Sequence, residues 1–265
     1  SMGAARRVLN GYDLGIHYVD TYIGRVMNLL ADLGVLEDTA IVLSSDHGEN
    51  LGELNIYGDH QTADAITTRV PCLFSWPGIT DALAGQTLGG LHYHYDFAAT
   101  TIELAGAERH PLFEGQSFAA DLAGGSVSGR PSLVVSQGAW CAQRAARWGD
   151  FLYVHTWHDA WHDYPTSMLF NVRDDPHEQH NLAEAYPAEV ATGRQIIQDW
   201  RDSMLETATD PHDPMDTVLQ EGGPLHAREG IRDHYPQRLR ATARAEAAER
   251  LLAKYENLPT SASLA

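Results

Sequence analysis

The apolar positions at the start of the chain recur in steps of three and four. Tyr12, Ile16, Val19, Ile23, Met27 and Leu30 form one stripe within residues 8–33, which is the period of an amphipathic helix. Gly34 stands where a helix-ending glycine belongs. Residues 39–45 then run apolar at strand length, a pattern that suits a strand covered on both faces in a parallel sheet. A second apolar run, 70–76, closes on Pro77-Gly78, and Asp96 is placed to cap a helix over 97–104. Residues 111–130 read as loop.

The texture changes near residue 130. Short strands are expected at 132–137, 142–147, 151–156 and 168–172, with Gly149-Asp150 turning the second into the third. Connections this short favour antiparallel pairing. Pro187 opens a helix through Val190, Ile197, Trp200 and Leu205, residues 209–230 read as an Asp-, Pro- and Gly-rich loop, and a last helix is expected over 237–255. The expectation is an α/β portion over 1–130, followed over 131–265 by a small antiparallel sheet with flanking helices. No internal repeat is visible.

Charge narrows the partners. With 36 acidic against 18 basic residues the net charge is −18, which argues against nucleic acid or an anionic membrane as the main partner. Two cysteines exclude a disulfide scaffold. No apolar run is long enough to span a bilayer, so the chain reads as soluble, with the choice between cytoplasm and periplasm or secretion left open. Cys72, inside an apolar strand, reads as an inert core thiol; Cys141 lies near Arg144, which could lower a thiol pKa.

Candidate chemistry concentrates after the first apolar strand. Asp46-His47, followed by Gly48, sits at the carboxyl end of that strand, where ligands gather in open α/β sheets. A carboxylate beside an imidazole can hold a divalent ion, although two ligands need further carboxylates for a strong site. The alternative is a turn-capping aspartate and a histidine bonded to nearby backbone. His60, in a glycine-flanked polar loop, could face an oxyanion or protonate a leaving group, or face solvent. His92 and His94 share one face of an extended segment and could line or rim the same cleft. Asp13, His17 and Asp20 fall opposite the apolar stripe and read as solvated. His155, His158 and His162 among Trp157 and Trp161 read as aromatic packing with wet edges. No nucleophile elbow or phosphate-cradling loop is present.

The order of motifs resembles one family. Tyr12-Asp13, Asp20, Ile23-Gly24-Arg25, Leu33-Gly34, Ser45-Asp46-His47-Gly48-Glu49, Arg69-Val70-Pro71 and Trp76-Pro77-Gly78 resemble the second half of sulfatases, in the alkaline phosphatase superfamily. Gly115-Gln116-Ser117, Leu169-Phe170-Asn171-Val172, Asp175-Pro176-His177-Glu178 and Asn181-Leu182 continue the likeness. It implies the C-terminal part of an alkaline-phosphatase-like mixed or parallel sheet sandwich, with a small antiparallel α+β subdomain. The implied activity is metal-dependent hydrolysis of a sulfate ester, with phosphate or phosphonate esters as cousin substrates. Asp46 and His47 match two metal ligands, for calcium or for manganese, magnesium or zinc; many calcium sulfatases carry asparagine where His47 stands. His60 matches a region that faces the anion, and Asp96 and Thr100 a structural helix start.

The resemblance also implies elements absent from these residues: two early aspartates, and a Cys/Ser-x-Pro-x-Arg signature whose first residue becomes formylglycine. Neither Cys72-Leu73-Phe74-Ser75-Trp76 nor Cys141-Ala142-Gln143-Arg144-Ala145 fits that signature. On this reading those elements precede residue 1, and the chain is a C-terminal fragment, inactive alone, whose partner is the missing N-terminal half. The alternatives are a phosphodiesterase or phosphonate hydrolase fragment and a non-catalytic binding module. Exposed sheet edges would favour a homo-oligomer.

Overall fold

The computed structural model describes residues 2–125, 129–228 and 234–256. Ser126 and Ser128 of the expected 111–130 loop, and the last two positions of the expected 209–230 loop, lie outside the described residues. The chain divides into two compact units: residues 1–59 with 69–133, and residues 60–68 with 134–265. The class is α/β, and the strand pairings given by register are antiparallel.

In the first unit the apolar stripe forms α1 (Met2–Asp32). Gly34, at φ +69°, ends it: its N–H donates to Ala31 O at 2.9 Å and the Val35 N–H to Leu30 O at 3.0 Å, the paired bonds of a left-handed helix stop. None of α1 is buried, and its apolar residues are largely exposed. One flank, including Tyr18, Tyr22, Val26 and Leu30, shares with Ile41, Val42 and Leu43 an apolar cavity of about 370 Å³. Among the described residues β1 (Ile41–Ser44) pairs antiparallel with β4 (Cys72–Ser75) only, Val42 opposite Phe74 and Leu43 opposite Leu73. The expected strand with both faces covered is therefore half-buried instead, and Cys72 is exposed rather than in a core. Strand-length apolarity specifies β1 itself, but not what lies on its faces.

Between these strands come β2 (Asn50–Leu51) and β3 (Tyr57–Asp59), a short irregular ladder. α3 (His94–Leu104) begins before the expected cap. Asp96 is its third residue: its carboxylate accepts from the Tyr93 N–H at 2.7 Å and the Gln116 N–H at 2.7 Å, and pairs with Arg130. Those donors hold the buried carboxyl below the usual range, although desolvation alone would raise it. The Arg130 guanidinium lies over Tyr93, 4.8 Å from the ring centre. A one-turn α4 (Ala119–Leu122) follows within the expected loop.

The second unit is built on a four-stranded sheet in the order β5 (Ser132–Gln137), β6 (Ala142–Trp148), β7 (Phe151–His158), β8 (Ser167–Asn171). Gly149, at φ +45°, turns β6 into β7. α5 (Pro187–Thr207) lays Val190, Ile197 and Trp200 on Val134, Ala146, Tyr153 and Leu169. Gly193 is required there, because a Cβ at that position would run into the Tyr153 ring. Residues 60–68, with α2 (Ala65–Thr68), are stitched to this unit. The Ala63 N–H donates to Gln143 Oε1 at 3.0 Å, and the Ala65 N–H to Glu178 Oε1 at 2.7 Å.

Two differences from the expected elements have identifiable causes. The expected 209–230 loop contains α6 (Pro214–Gln220), whose cap is Asp213, accepting from the Met215 N–H at 2.9 Å. The same Asp213 carboxylate is gripped by Arg144 at 2.5 and 2.8 Å and by Arg201 at 2.7 Å. The expected 237–255 helix is two helices, α7 (Tyr235–Ala241) and α8 (Ala245–Glu256). Ala243 between them is left-handed, at φ +58°, and the Arg244 N–H turns back to Leu239 O at 2.9 Å. Leu239, Ala248 and Leu251 pack with buried Cys141 and Ala160. The Cys141 thiol thus sits in an apolar cluster.

Candidate metal and anion site

The site is built at the end of β1. After Ser44 the chain leaves the ladder, and Ser45, Asp46 and His47 form a tight turn stapled by their own side chains. Ser45 Oγ donates to His47 O at 2.7 Å, and the His47 N–H donates to Asp46 Oδ1 at 3.0 Å. The N–H groups of His47 and of Asp46 itself hold the Asp46 carboxyl below its usual range. Asp46 is thus ionised at neutral pH while its side chain is 86% exposed.

The imidazole is oriented by the next residue. His47 Nδ1 lies 2.8 Å from Gly48 O, and a carbonyl only accepts, so Nδ1 carries a proton and the lone pair of the neutral ring is on Nε2. A backbone acceptor of this kind commonly fixes the tautomer of a metal-binding histidine. His47 Nε2 lies 3.8 Å from Asp46 Oδ2. An ion with bonds of about 2.0–2.4 Å bridges donors at that separation, so this pair fits the divalent cation that the motif implies.

Glu49, to which the sequence assigns no role, lies close to His47. A Glu49 carboxylate oxygen lies within 4.8 Å of a His47 ring nitrogen. A Cβ on Gly58, at φ +70°, would stand 3.8 Å from Glu49 Oε1. The residues that follow are wound tightly. Gly52, Leu54 and Asn55 all have positive φ, and Glu53 Oε2 accepts from the Leu51 N–H at 2.8 Å. The alternation of acidic residues around His47 was the available signal, but spacing alone does not say which carboxylate turns back.

His60 follows β3 directly and opens the second unit, where its carbonyl accepts from Gln137 Nε2 at 3.0 Å. His92 packs against Phe118 with the rings tilted and their centres 4.7 Å apart, while His94 is the exposed first residue of α3. The change from extended chain to helix at His94 removes the shared face expected for the two. Asp13, His17 and Asp20 are exposed. In the second unit His155 packs on Trp157 and bonds the Tyr153 hydroxyl at 3.0 Å, and His162 bonds Gln61 at 2.9 Å. Burial, helped by the Arg194 charge, pushes His155 down to about 4.

The Sulfatase family profile matches residues 2–107. Choline-sulfatase from Rhizobium meliloti is 29% identical over 184 residues, 68% of this chain and 34% of that protein. Human iduronate 2-sulfatase is 34% identical over 121 residues, 45% and 22% of the two chains. A multifunctional alkaline phosphatase superfamily protein from Trinickia caryophylli is 29% identical over 220 residues, 75% and 41%. Among solved structures, a 2-O GAG sulfatase superposes with TM-score 0.62 at 22% identity, over 74% of this chain and 44% of that one. A sulfatase from Pseudoalteromonas sp. superposes with TM-score 0.54 at 21% identity, over 73% and 43%. The chain thus spans well under half the length of these proteins. No helix among the described residues is long and apolar enough to cross a membrane. By the profile match over residues 2–107, these relatives and the shared alkaline-phosphatase-like fold, the chain is similar to part of the sulfatases of the alkaline phosphatase superfamily.

Proposed function

We propose that this chain supplies the cation-holding end and the anion-facing histidines of a sulfate-ester hydrolase. The observation that carries the reading is the Asp46–His47 pair, an ionised carboxylate and an oriented imidazole 3.8 Å apart at the end of β1. A divalent ion bound there, calcium or alternatively manganese, magnesium or zinc, supplies charge withdrawal from the ester oxygens. Asp46 contributes negative charge without a proton to lose, because backbone N–H groups stabilise its ionised form. His47 contributes a nitrogen lone pair whose direction the Gly48 carbonyl fixes. His60 is assigned the proton for the departing alcohol, and His92 and His94 are assigned contacts with the substrate anion.

The attacking group is not among these 265 residues on this reading. It comes as formylglycine from a Cys/Ser-x-Pro-x-Arg segment on a complementing polypeptide, together with further aspartate ligands. The lone chain therefore leaves an aryl sulfate unhydrolysed, and the same chain combined with such a polypeptide hydrolyses it. Asp46→Asn and His60→Ala each lower that activity at least 100-fold. Absence of turnover in every complemented form would sink the reading. His47, standing where many calcium sulfatases carry asparagine, favours a second substrate class. Aryl phosphate diesters or phosphonates turned over faster than the sulfate in the same assay would transfer the site to that chemistry.

A further inference from the structure

We infer that Glu49 is a cation donor beside His47, and that this site selects a first-row transition ion over calcium. The inference rests on the proposed cation role of the Asp46–His47 turn and goes beyond it in naming a third donor and a metal class. Three observations in the first unit support it. His47 presents Nε2 as the lone-pair nitrogen because Nδ1 donates to Gly48 O at 2.8 Å. The Glu49 carboxylate lies within 4.8 Å of a ring nitrogen of the same histidine. Asp46, whose Oδ2 is 3.8 Å from Nε2, is 86% exposed and can turn toward an ion that the other two hold.

The donor types decide the metal. Calcium takes six to eight oxygens and gains little from an imidazole. Zinc binds a nitrogen with one or two carboxylates at about 2.0–2.2 Å, and imidazole with carboxylate also suits manganese and cobalt. Bonds of that length span donors roughly 4.4 Å apart at most, so Glu49 reaches the ion by a small side-chain rotation. The loop behind it limits larger movement. Its left-handed residues Gly52, Leu54 and Asn55 and the Glu53-to-Leu51 bond hold β2 and β3 together.

The test uses the whole chain and metal salts alone. Cobalt(II) is titrated into the purified protein and followed by its visible d–d absorption; zinc and calcium then compete for the bound cobalt. The expected result is a saturable cobalt spectrum that stoichiometric zinc abolishes and a hundredfold excess of calcium leaves. Glu49→Gln and Glu49→Ala weaken cobalt binding at least tenfold, with far-UV circular dichroism unchanged. Unaltered binding in both Glu49 variants, alongside loss in Asp46→Asn, would overturn the Glu49 assignment and leave the original pair standing. Displacement of cobalt by equimolar calcium would overturn the metal class, and a wild-type chain that binds no cobalt would overturn both. Cobalt binding through Glu49 with no ester hydrolysis in the complemented enzyme would instead count against the sulfate-ester reading alone.

Discussion

The two units differ in where they put their apolar surface. In the second unit, Tyr153, Leu152, Val154, Leu169 and Phe170 are fully buried on a four-stranded sheet, and α5 covers one face. In the first unit, a 31-residue helix buries none of its residues, and a two-stranded ladder leaves Leu73 and Cys72 exposed. Both are written in ordinary apolar sequence. What differs is how much of the covering surface lies close by in the chain: antiparallel neighbours and the helix that packs on them follow within a few tens of residues in the second unit. The first unit is held more by polar contacts, above all Asp96 with Arg130, Tyr93 and Gln116.

The sharpest way to break this contrast is to empty the second core. Tyr153→Ala removes a fully buried ring and the hydroxyl that bonds His155, Ser167 and Arg194. The expected loss is about 3–5 kcal/mol, read as a lower urea midpoint by tryptophan fluorescence. All six tryptophans except Trp76 lie in this unit, so that signal reports on it. A loss below about 1 kcal/mol would mean that the Tyr153 cavity collapses at little cost and that the core is less specific than its burial suggests.

Two buried ion pairs test the contrast at a lower amplitude. Asp213→Ala strands Arg144, whose side chain is 6% exposed between Trp157 and Trp200, and also removes the cap of α6. Breaking such a pair costs about 3 kcal/mol. Arg130→Ala leaves the buried Asp96 carboxylate to its backbone donors at Tyr93 and Gln116, and the loss should appear in proteolysis of the first unit while the tryptophan midpoint stays put. Both carboxyls have folded pKa values below their ordinary ones. Each therefore contributes stability above the unfolded value of about 3.9, and that stability is lost as pH falls below it. Equal acid sensitivity in wild type and Asp213→Ala would show that the carboxylate is not part of the acid transition.

How much of this was legible beforehand follows the same division. The β6–β7 hairpin, the β5–β8 strands and the helix from Pro187 were readable because Gly149-Asp150, strand alternation and Pro187 act over a few residues. The Asp46-His47 turn was readable for the same reason, as its partners are Ser45 and Gly48. Arg144 with Asp213 was not, since the two lie 69 residues apart and meet only through the fold. Nor was the break at Ala243, where a good helix former is overruled by the turn from Arg244 back to Leu239. Glu49 stood next to the motif, and only the folded chain shows that its carboxylate lies near the imidazole. The exposed faces of α1 and β1 were hidden for a different reason: an apolar stripe states a preference for cover without naming the cover.

The smallest expected effect lies on that stripe. Ile16 and Val19 are more than half exposed in α1, so Ile16→Asp and Val19→Asp remove little buried area. Surface substitutions of this kind change stability by no more than about 0.5 kcal/mol. The tryptophan midpoint should stay within error, while binding of an apolar dye such as ANS falls as the patch is broken. A shift of several kcal/mol that grew with protein concentration would mean that α1 is covered in solution by a second copy, since mass action stabilises only a face engaged by a partner. The contrast between the units would then describe the isolated chain and not its state in solution. A shift of that size independent of concentration would mean that the helix packs within its own chain more closely than its exposure indicates.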